Sequence, residues 1–492
     1  MSAISDRVAD YFGGAIAVHA VERPTAPAFL AGDSTVDFAA LHRAILAEAA
    51  TFARAGIAHG TAVALAMRDT PAHIAALFAL QRIGAVTVIV TAGDPPLVRD
   101  ALLAQAGARV AVGSVDDATA WPVPFIAIGE HAGRAGELPA PPGPDDFCGF
   151  RRSSGTTGGV PRLTPVTHGY ELTQFAFLWA SILPSAGDRY LSIVSTGFEL
   201  GRVSVQHALL AGAAVILPPP LGAVEDLVAV ARRQRATWTS ITPTHLRHLL
   251  GRRPAAPLLP GLSLLTTSSM LTDAERAQVI REVSPDLYVL YATNEAGLLA
   301  VASPGDLLRV PGTVGRPVAG IRLEVVDTGG SPVPPGTVGE IRACHPAYPT
   351  SYASGDPGSS SRFAEGWFYP GDLGCLDGDG YLFLKGRVDD VINVGGQKVY
   401  PAEIVECLTA HPAVVEAAAI GVPERHRGAI PMAAVVLRAS VLEEELRRHC
   451  DARLGRDRSP ARVVPLEALP KTTAGKIDRS ALLRQLTHRL AG

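Results

Sequence analysis

The sequence predicts an α/β protein with more than one domain. Its 492 residues exceed what a single hydrophobic core usually supports. Helix-like and strand-like segments alternate from about residue 35 to 115 and again from 170 to 300, and short β segments follow from about residue 312. We therefore expect a large N-terminal domain, with two α/β subdomains and a small β-barrel-like subdomain, followed by a small α+β C-terminal domain.

The first α/β subdomain is predicted by segments whose apolar residues recur with two different periods. DFAALHRAILAEAATFARAG places apolar residues at helical spacing and ends at Gly56, and PAHIAALFALQRIG also predicts a helix. The short apolar runs TAVALAM and AVTVIV predict strands. Because strands that alternate with helices form βαβ units, we expect a mostly parallel sheet.

The same alternation returns in the second subdomain. ELTQFAFLWASIL predicts a helix and a second helix ends at Gly212, while the strands are predicted at RYLSIVS, AAVILP, LSLLTT and LYVLYAT. The segments TVGRPVAGIRLEVVD, TVGEIRA and GYLFLKGR then predict a small antiparallel subdomain or barrel.

A final α/β segment begins at about residue 388. Its elements are predicted at PAEIVECLTAH, VVEAAAIGV, MAAVVLR and VLEEELRRHCDARLG. We place the domain boundary between Gly386 and Asp390, which gives an N-terminal core of residues 1–386 and a C-terminal domain of residues 387–492.

Composition and charge argue against several classes of function. The 44 lysines and arginines nearly balance 47 aspartates and glutamates, so we expect no nucleic-acid partner. The five cysteines show no CxxC pair, and the N-terminal MSAISDRVADYFGG lacks the basic and apolar regions of a signal peptide. We expect a cytoplasmic protein with no membrane span, and the scarcity of lysine beside arginine, alanine, glycine and proline indicates a bacterial source.

Residues 151–169, RRSSGTTGGVPRLTPVTHG, form the first stretch that predicts chemistry. Its hydroxyl side chains and glycines are too small and polar to build a core, and glycine permits backbone conformations that bring several N–H groups to one point. The stretch lacks the Gly-Lys-Ser/Thr ending of a P-loop. We interpret it as a cradle for an oxyanion.

Five motifs, in order along nearly the whole chain, resemble those of the adenylate-forming superfamily, which contains acyl- and aryl-CoA synthetases, peptide-synthetase adenylation domains and luciferases. They are SSGTTGGVPR, YATNEAG, GWFYPGDLG, GRVDDVINVGGQKVYPAEI and PKTTAGKIDR. The resemblance implies that a carboxylate attacks the α-phosphorus of ATP and that pyrophosphate leaves. It also implies that the small C-terminal domain is mobile and rotates before the acyl-adenylate reacts with a thiol.

The resemblance assigns roles to individual residues. Lys476, Glu295 and Asn294 would be catalytic, with Lys476 as the late-acting cation and Asn294 beside the α-phosphate. Glu295 and Thr156 would hold Mg²⁺, which oxygen ligands suit, and Asp389 would be the hinge. The residues expected to bind ATP are Ser153, Ser154, Gly155, Thr156, Thr157, Gly158, Gly159, Arg162, Tyr291, Asp372 and Arg387.

The acceptor side of the site is implied by the VGGQK segment. Gly395 and Gly396 would let a thin pantetheine arm pass close to the backbone, with Lys398 in the same segment. An ordinary hairpin turn is the alternative for these glycines. The implied cofactors are ATP, Mg²⁺ and CoA, or a phosphopantetheine carrier protein in place of CoA.

Two departures from the family's pattern concern the nucleotide. The phosphate loop commonly has one residue between Thr-Gly and Pro-Lys, whereas Gly159 and Val160 intervene here and Arg162 replaces the lysine. Arginine keeps the charge and can bind phosphate with two parallel hydrogen bonds. Asn294 stands at a usual threonine position, where its amide can also donate to phosphate.

A third departure concerns the acid. Phe198 lies nearest the position where CoA synthetases commonly carry histidine, and Glu199 aligns with the aspartate that holds a substrate ammonium in amino-acid adenylation domains. A buried Glu199 needs a partner, which a substrate amine would supply, but Arg202 could pair with it instead. Ser268 and Ser269 replace a glycine-rich strand end and would narrow the pocket toward a small or flat acid.

The predicted function is ATP-dependent activation of a small carboxylic acid, aryl or amino-bearing, followed by thioester formation with CoA. The alternatives are loading of a separate carrier protein and transfer of the acyl group to a non-thiol nucleophile. A nucleotide-binding regulatory protein without turnover is a further alternative, but the presence of Lys476 argues against it because a sensor would not need that residue.

Overall fold

The computed structural model describes residues 11–129, 138–153, 160–219, 224–250, 254, 256–267, 271–353, 362–394, 397–424, 428–471 and 477–490. The strands up to residue 317 are β1 (Pro27–Ala31), β2 (Ser34–Asp37), β3 (Ala62–Met67), β4 (Val86–Thr91), β5 (Val110–Gly113), β6 (Phe125–Ala127), β7 (Phe147–Arg152), β8 (Leu163–Thr167), β9 (Arg189–Leu191), β10 (Ala214–Leu217), β11 (Trp238–Ile241), β12 (Ser263–Thr266), β13 (Leu287–Thr293), β14 (Gly297–Ala302) and β15 (Arg316–Pro317).

The α-helices of this region cover the faces of its sheets. They are α1 (Gly14–Glu22), α2 (Phe38–Arg54), α3 (Pro71–Arg82), α4 (Pro96–Ala106), α5 (His168–Ile182), α6 (Glu199–Leu210), α7 (Val224–Arg233), α8 (Pro243–Leu249), α9 (Asp273–Glu282) and α10 (Pro304–Arg309). Two of them begin at residues of the kind that cap helices. Asp37 precedes α2 and accepts a hydrogen bond from the Ala40 N–H, and Thr70 caps α3 just before Pro71.

Two sheets form the predicted α/β subdomains. One has the strand order β6-β5-β3-β4-β7-β8, with parallel pairs except for β7 and β8. The other has the order β15-β14-β13-β12-β11-β9-β10-β1-β2, and its central pairs are parallel. Because parallel strands place their carboxyl ends at one edge, the connections that follow β7 and β13 are available for a site.

The predicted small β subdomain is an antiparallel sheet. Its strands are β16 (Arg322–Val326), β17 (Gly339–Cys344), β18 (Phe363–Ala364), β19 (Trp367–Phe368), β20 (Asp372–Leu376) and β21 (Leu382–Arg387). The β20–β21 register sets Asp372 directly opposite Arg387, although 15 residues separate them in the chain. A short 3₁₀ turn at Val388–Asp390 follows β21.

The C-terminal part has its own sheet and its own core. It contains β22 (Ile392–Val394), β23 (Gln397–Val399), α11 (Pro401–Thr409), β24 (Val414–Glu424), β25 (Gly428–Leu437), α12 (Glu443–Leu454), β26 (Arg462–Pro465) and α13 (Arg479–Leu490). Two apolar clusters, one around Ile404 and Val435 and one around Ile420 and Leu486, pack its helices against the sheet. The predicted small α+β C-terminal domain is therefore confirmed.

The predicted strand RYLSIVS is shorter than expected, since β9 ends at Leu191. The following turn passes against α6, where a Cβ atom on Gly201 would lie 2.3 Å from the carbonyl oxygens of Val194 and Ser195. Only glycine allows this close approach of backbone to backbone.

Within the described ranges, none of the helices has the length and apolar character needed to cross a membrane.

Candidate active site

The turn between β13 and β14 carries Asn294 and Glu295 and is hydrogen-bonded to helix α5. The Tyr170 hydroxyl donates to the Glu295 carbonyl oxygen (3.3 Å), and the Gln174 side-chain amide donates to the Ala296 carbonyl oxygen (3.1 Å). The Gln174 Oε1 atom also accepts from the Leu298 N–H at 2.8 Å. Tyr170 and Gln174 are one helical turn apart, so both face this connection and fix its backbone.

The ends of the predicted phosphate loop are joined to each other. The Ser153 N–H donates to the Arg162 carbonyl oxygen (2.8 Å), and the Arg162 N–H donates to the Ser153 hydroxyl oxygen (2.9 Å). These reciprocal bonds extend the β7–β8 pairing by one step and close the neck of the loop. Ser154, Gly155, Thr156, Thr157, Gly158 and Gly159 lie outside the described residues.

Strand β7 is anchored just before the loop by Arg152. Its guanidinium makes two hydrogen bonds to the Asp94 carboxylate, at 2.8 and 2.7 Å. Burial opposes ionisation of Asp94, but the hydrogen bonds from Arg152 and Thr91 outweigh it and lower the pKa of the carboxyl. The Asn294 amide donates to the Arg152 carbonyl oxygen at 2.5 Å, so the Asn294 turn and the phosphate loop meet at the end of β7.

Glu295 and Arg162 face the same aromatic ring. The Tyr352 hydroxyl donates to Glu295 Oε1 at 3.0 Å, and the Arg162 guanidinium carbon lies 5.2 Å from the centre of the Tyr352 ring. Burial and the adjacent Glu295 carboxylate raise the pKa of Tyr352. The predicted metal carboxylate and the predicted phosphate-binding arginine are thereby brought together.

Asp372 forms a second polar centre, as predicted for a ribose contact. Its Oδ2 atom accepts from the Tyr291 hydroxyl at 2.7 Å, and its Oδ1 atom accepts from Arg387 at 3.0 Å. Burial and the neighbouring Asp372 raise the pKa of Tyr291, so that hydroxyl remains a donor. A carboxylate fixed by two donors in this way retains lone pairs that can accept from a pair of ligand hydroxyls.

Glu199 has partners within the protein. At the start of α6, its carboxylate pairs with Arg202 at 2.5 Å and with Arg151 at 3.3 Å, and Arg151 also pairs with Glu171 at 2.6 Å. All four side chains are at most 12% exposed. The Arg202 pairing that the sequence left open is therefore present, and Glu199 has two cationic partners within the protein, although its Oε1 atom accepts no hydrogen bond from the described residues. The neighbouring Phe198 is 51% exposed.

The hinge and acceptor residues are only partly described. Asp389 lies in the 3₁₀ turn after β21, is 75% exposed, and pairs with Arg362 at 3.6 Å. Lys398 is exposed on β23, opposite Asn393 in the β22–β23 hairpin. Gly395, Gly396, Ser268, Ser269 and Lys476 lie outside the described residues, so their predicted roles remain predictions.

Several residues that shape the site were not found from the sequence. Tyr170, Tyr352 and Arg152 contact a predicted site residue or its backbone, Gln174 contacts the backbone of the same turn at Ala296, and Asp94 holds Arg152. Their partners lie between 57 and 142 positions away in the chain. A local sequence pattern cannot predict contacts between residues so far apart in the chain. The one signal in the sequence is the pair of positive charges at Arg151 and Arg152, directly before the loop.

A nucleotide and a magnesium ion would fit this arrangement. Glu295 offers a hard carboxylate oxygen close to the neck of the loop, and Mg²⁺ is usually bound by one or two carboxylates together with substrate phosphates. Within the described ranges there is no group of three or more histidine, cysteine, aspartate or glutamate side chains arranged to hold a metal.

Comparison with known proteins gives matches along nearly the whole chain. The family model for AMP-binding enzymes matches residues 16–352, and the model for the C-terminal domain of AMP-binding enzymes matches residues 403–476. An indoleacetate–CoA ligase of Aromatoleum aromaticum is 29% identical over 96% of this chain and 97% of its own. A fatty acid–[acyl-carrier-protein] ligase of Streptomyces coeruleorubidus is 28% identical over 94% of each chain.

The fold is also found among solved structures. The o-succinylbenzoate coenzyme A synthetase of Bacillus subtilis, in complex with ATP and magnesium ion, superposes with a TM-score of 0.85 at 24% identity, over 95% of this chain and 98% of its own. This likeness confirms the expected large N-terminal and small C-terminal domains. Together with the family matches, it shows that the chain belongs to the AMP-binding enzymes, the adenylate-forming superfamily, and is an AMP-forming enzyme of the acyl-CoA-synthetase-like kind.

Proposed function

We propose that this enzyme activates a small carboxylic acid with ATP and then transfers the acyl group to CoA. The observation that carries the proposal is the convergence of three elements at one edge: the neck of the Ser153–Arg162 loop, the Glu295 turn, and the Tyr291–Asp372–Arg387 network. These supply contacts for phosphate, metal and ribose respectively. The indoleacetate–CoA ligase relative supports CoA as the acceptor.

The chemistry needs this combination because both reactants are anions. The carboxylate of the acid must approach the α-phosphorus of ATP, and pyrophosphate must leave as a new acyl–phosphate bond forms. Arg162 would stabilise the departing phosphates, Asn294 would donate to the α-phosphate, and Lys476 would contribute a late positive charge. When bound, Mg²⁺ would neutralise phosphate charge, with Glu295 and Thr156 as its protein ligands.

Ribose recognition would set the position of the nucleotide. Asp372 is held by Tyr291 and Arg387 on adjacent structural elements, so its carboxylate is already oriented before ATP enters. A preorganised acceptor reduces the free-energy cost of ordering the site on binding. Rotation at Asp389 would then exchange Lys476 for the Gly395–Gly396 segment and Lys398, which would face the incoming thiol.

We propose an acid without a required amino group. Arg202 and Arg151 already balance the charge of Glu199, although its Oε1 atom accepts no hydrogen bond from the described residues. Phe198 is exposed at the start of α6, where an aromatic ring suits an apolar or aryl acid. The predicted narrowing by Ser268 and Ser269 is consistent with a small or flat acid.

Transfer to a carrier protein is the second candidate. The fatty acid–[acyl-carrier-protein] ligase relative, which is similar over 94% of each chain, favours it. A phosphopantetheine thiol is common to CoA and to a carrier, so the Gly395–Gly396 segment would serve either. The adenylation half-reaction is the same in both cases.

The test is pyrophosphate release from ATP and Mg²⁺ with aryl, short-chain, fatty and amino acids, each alone, with CoA, and with a phosphopantetheinylated carrier. We expect release with one class of small acid and a thioester when CoA is present. Thioester formation only on the carrier would favour the second candidate. Absence of pyrophosphate release across all acids, in protein that binds ATP, would overturn the proposed activity.

A further inference from the structure

The arrangement of Arg162, Tyr352 and Glu295 places an aromatic ring between a cation and an anion. The Arg162 guanidinium lies over the ring face, 5.2 Å from its centre, while the hydroxyl at the ring edge donates to Glu295 at 3.0 Å. Tyr352 is 6% exposed and is packed edge-to-face against Phe363, with ring centres 5.2 Å apart. The ring is therefore fixed in this position by its own packing.

We propose that Tyr352 is a positioning residue that keeps Arg162 and Glu295 from neutralising each other. The proposal rests on the proposed function, which takes Glu295 as the metal carboxylate and Arg162 as the phosphate cation. Both charged groups contact the same side chain, and without the ring opposite charges at these two positions would be drawn into a direct ion pair. Such a pair would remove one charge from the phosphate side of the site and one from the metal side.

The ring face and the hydroxyl act on different partners. The ring face attracts the arginine by a cation–π interaction, which leaves its N–H groups free to donate to phosphate. The hydroxyl is a neutral donor, so it orients the Glu295 carboxylate without cancelling the negative charge that a metal ion needs. An arginine or lysine at position 352 would orient the carboxylate equally well but would pair with it.

The replacement of lysine by arginine in the phosphate loop makes such separation useful. Arginine is planar, stacks on aromatic rings and forms paired hydrogen bonds to carboxylates, whereas lysine is a point charge that stacks poorly. The Arg162 side chain is longer than that of lysine, and it follows both Gly159 and Val160, so its guanidinium can reach either a phosphate or a carboxylate. The Tyr352 ring gives the Arg162 guanidinium a defined contact other than the Glu295 carboxylate.

The experiment measures ATP binding by isothermal titration calorimetry at several free Mg²⁺ concentrations, without acid, so that no turnover occurs. Tyr352→Phe keeps the ring and removes the hydroxyl; we expect unchanged ATP affinity without Mg²⁺ and an increase of about tenfold in the Mg²⁺ concentration for half-maximal enhancement. Tyr352→Leu removes the ring too, and we expect it to weaken ATP binding without Mg²⁺ as well.

Tyr348→Phe is the matched control. Tyr348 is also a buried tyrosine, four residues earlier, and its hydroxyl has no hydrogen-bond partner in the part of the chain that the structure describes. It should behave as the unaltered protein does. In a Glu295→Gln background, Tyr352→Phe should cause no further change in Mg²⁺ dependence, because the bond it removes serves that carboxylate.

The outcomes separate this inference from the proposed function. If the unaltered enzyme binds ATP with Mg²⁺ and both Tyr352→Phe and Tyr352→Leu match Tyr348→Phe at every Mg²⁺ concentration, the positioning role is wrong and the proposed function stands. If Tyr352→Phe weakens ATP binding equally with and without Mg²⁺, the hydroxyl has only a general structural role. If the unaltered protein binds no ATP, both proposals fail.

Discussion

At the scale of single residues, the carboxylates of the site are held by donors from distant parts of the chain: Asp372 by Tyr291, and Glu295 by Tyr352. Asp372, Arg387, Tyr291 and Glu295 come from motifs, and the structure brings the first three into one hydrogen-bonded network. Tyr352 belongs to none of the five motifs. Its importance depends on a contact with Glu295, 57 residues away, which only the folded chain reveals.

Glu199 gives a prediction at the same scale. Glu199→Gln removes a charge from a buried cluster with Arg202 and Arg151, so we expect a similar loss of activity, within about twofold, for acids with and without an amino group. The measurement is kcat/KM for pyrophosphate release with matched acids such as benzoate and 2-aminobenzoate. Glu444→Gln, in an exposed pair with Arg448, is the control and should change neither value.

A loss confined to the amine-containing acid would contradict this prediction. It would mean that the ion pairs of Glu199 rearrange when substrate enters. In that case the sequence-based interpretation of Glu199 as an ammonium partner would be the correct one.

At the scale of elements, periodicity predicted the existence and order of helices and strands, while close contacts decided where they end. Helix α2 ends at Arg54, shortly before Gly56, whose φ of 88° suits a chain reversal. Strand β9, in contrast, has three residues rather than the seven of RYLSIVS. Residues 193–197 turn toward α6 because Gly201 admits their backbone, and apolar pattern alone cannot report that contact.

Gly201→Ala tests this contact. The added methyl would meet two backbone carbonyl oxygens at 2.3 Å, and backbone cannot move aside as a flexible side chain can. We expect the apparent thermal midpoint to fall by roughly 2 °C or more, corresponding to about 2 kcal/mol. Gly261→Ala is the control, since nothing lies within 4 Å of its added Cβ atom. Equal midpoints for the two variants would show that the turn can shift without cost.

At the scale of the whole molecule, length and the recurring α/β pattern were enough to predict the domain plan. Polar groups buried between subdomains were not predictable, because burial of a histidine depends on which sheets come together. His168 at the start of α5 and His207 in α6 are both buried in the core region. Burial lowers the pKa of His168 to about 4 and that of His207 to about 3.

These histidines predict the pH dependence of stability. In the unfolded chain they titrate near the ordinary value of 6.5, so below that pH the unfolded state binds more protons than the folded state. The contribution of these two neutral histidines to the free energy of unfolding is complete above pH 6.5. It is lost progressively as the pH falls toward 4. At pH 5 the loss should be about 2 kcal/mol per histidine.

The measurement is the thermal midpoint at pH 7.5 and pH 5.0. His207→Gln should reduce the difference between the two midpoints, even if both are lower than in the unaltered protein. His248→Gln is the control because the side chain of His248 is exposed. A midpoint difference that is unchanged by His207→Gln would mean that other groups cause the acid sensitivity.

The paired hydrogen bonds between Ser153 and Arg162 have a consequence for how this enzyme family diversifies. Because β7 and β8 are joined at these two residues, the number of residues between them can change without displacing either strand. An insertion there is tolerated much as one at the tip of a surface hairpin would be. Loops of different length should therefore be exchangeable between these two positions.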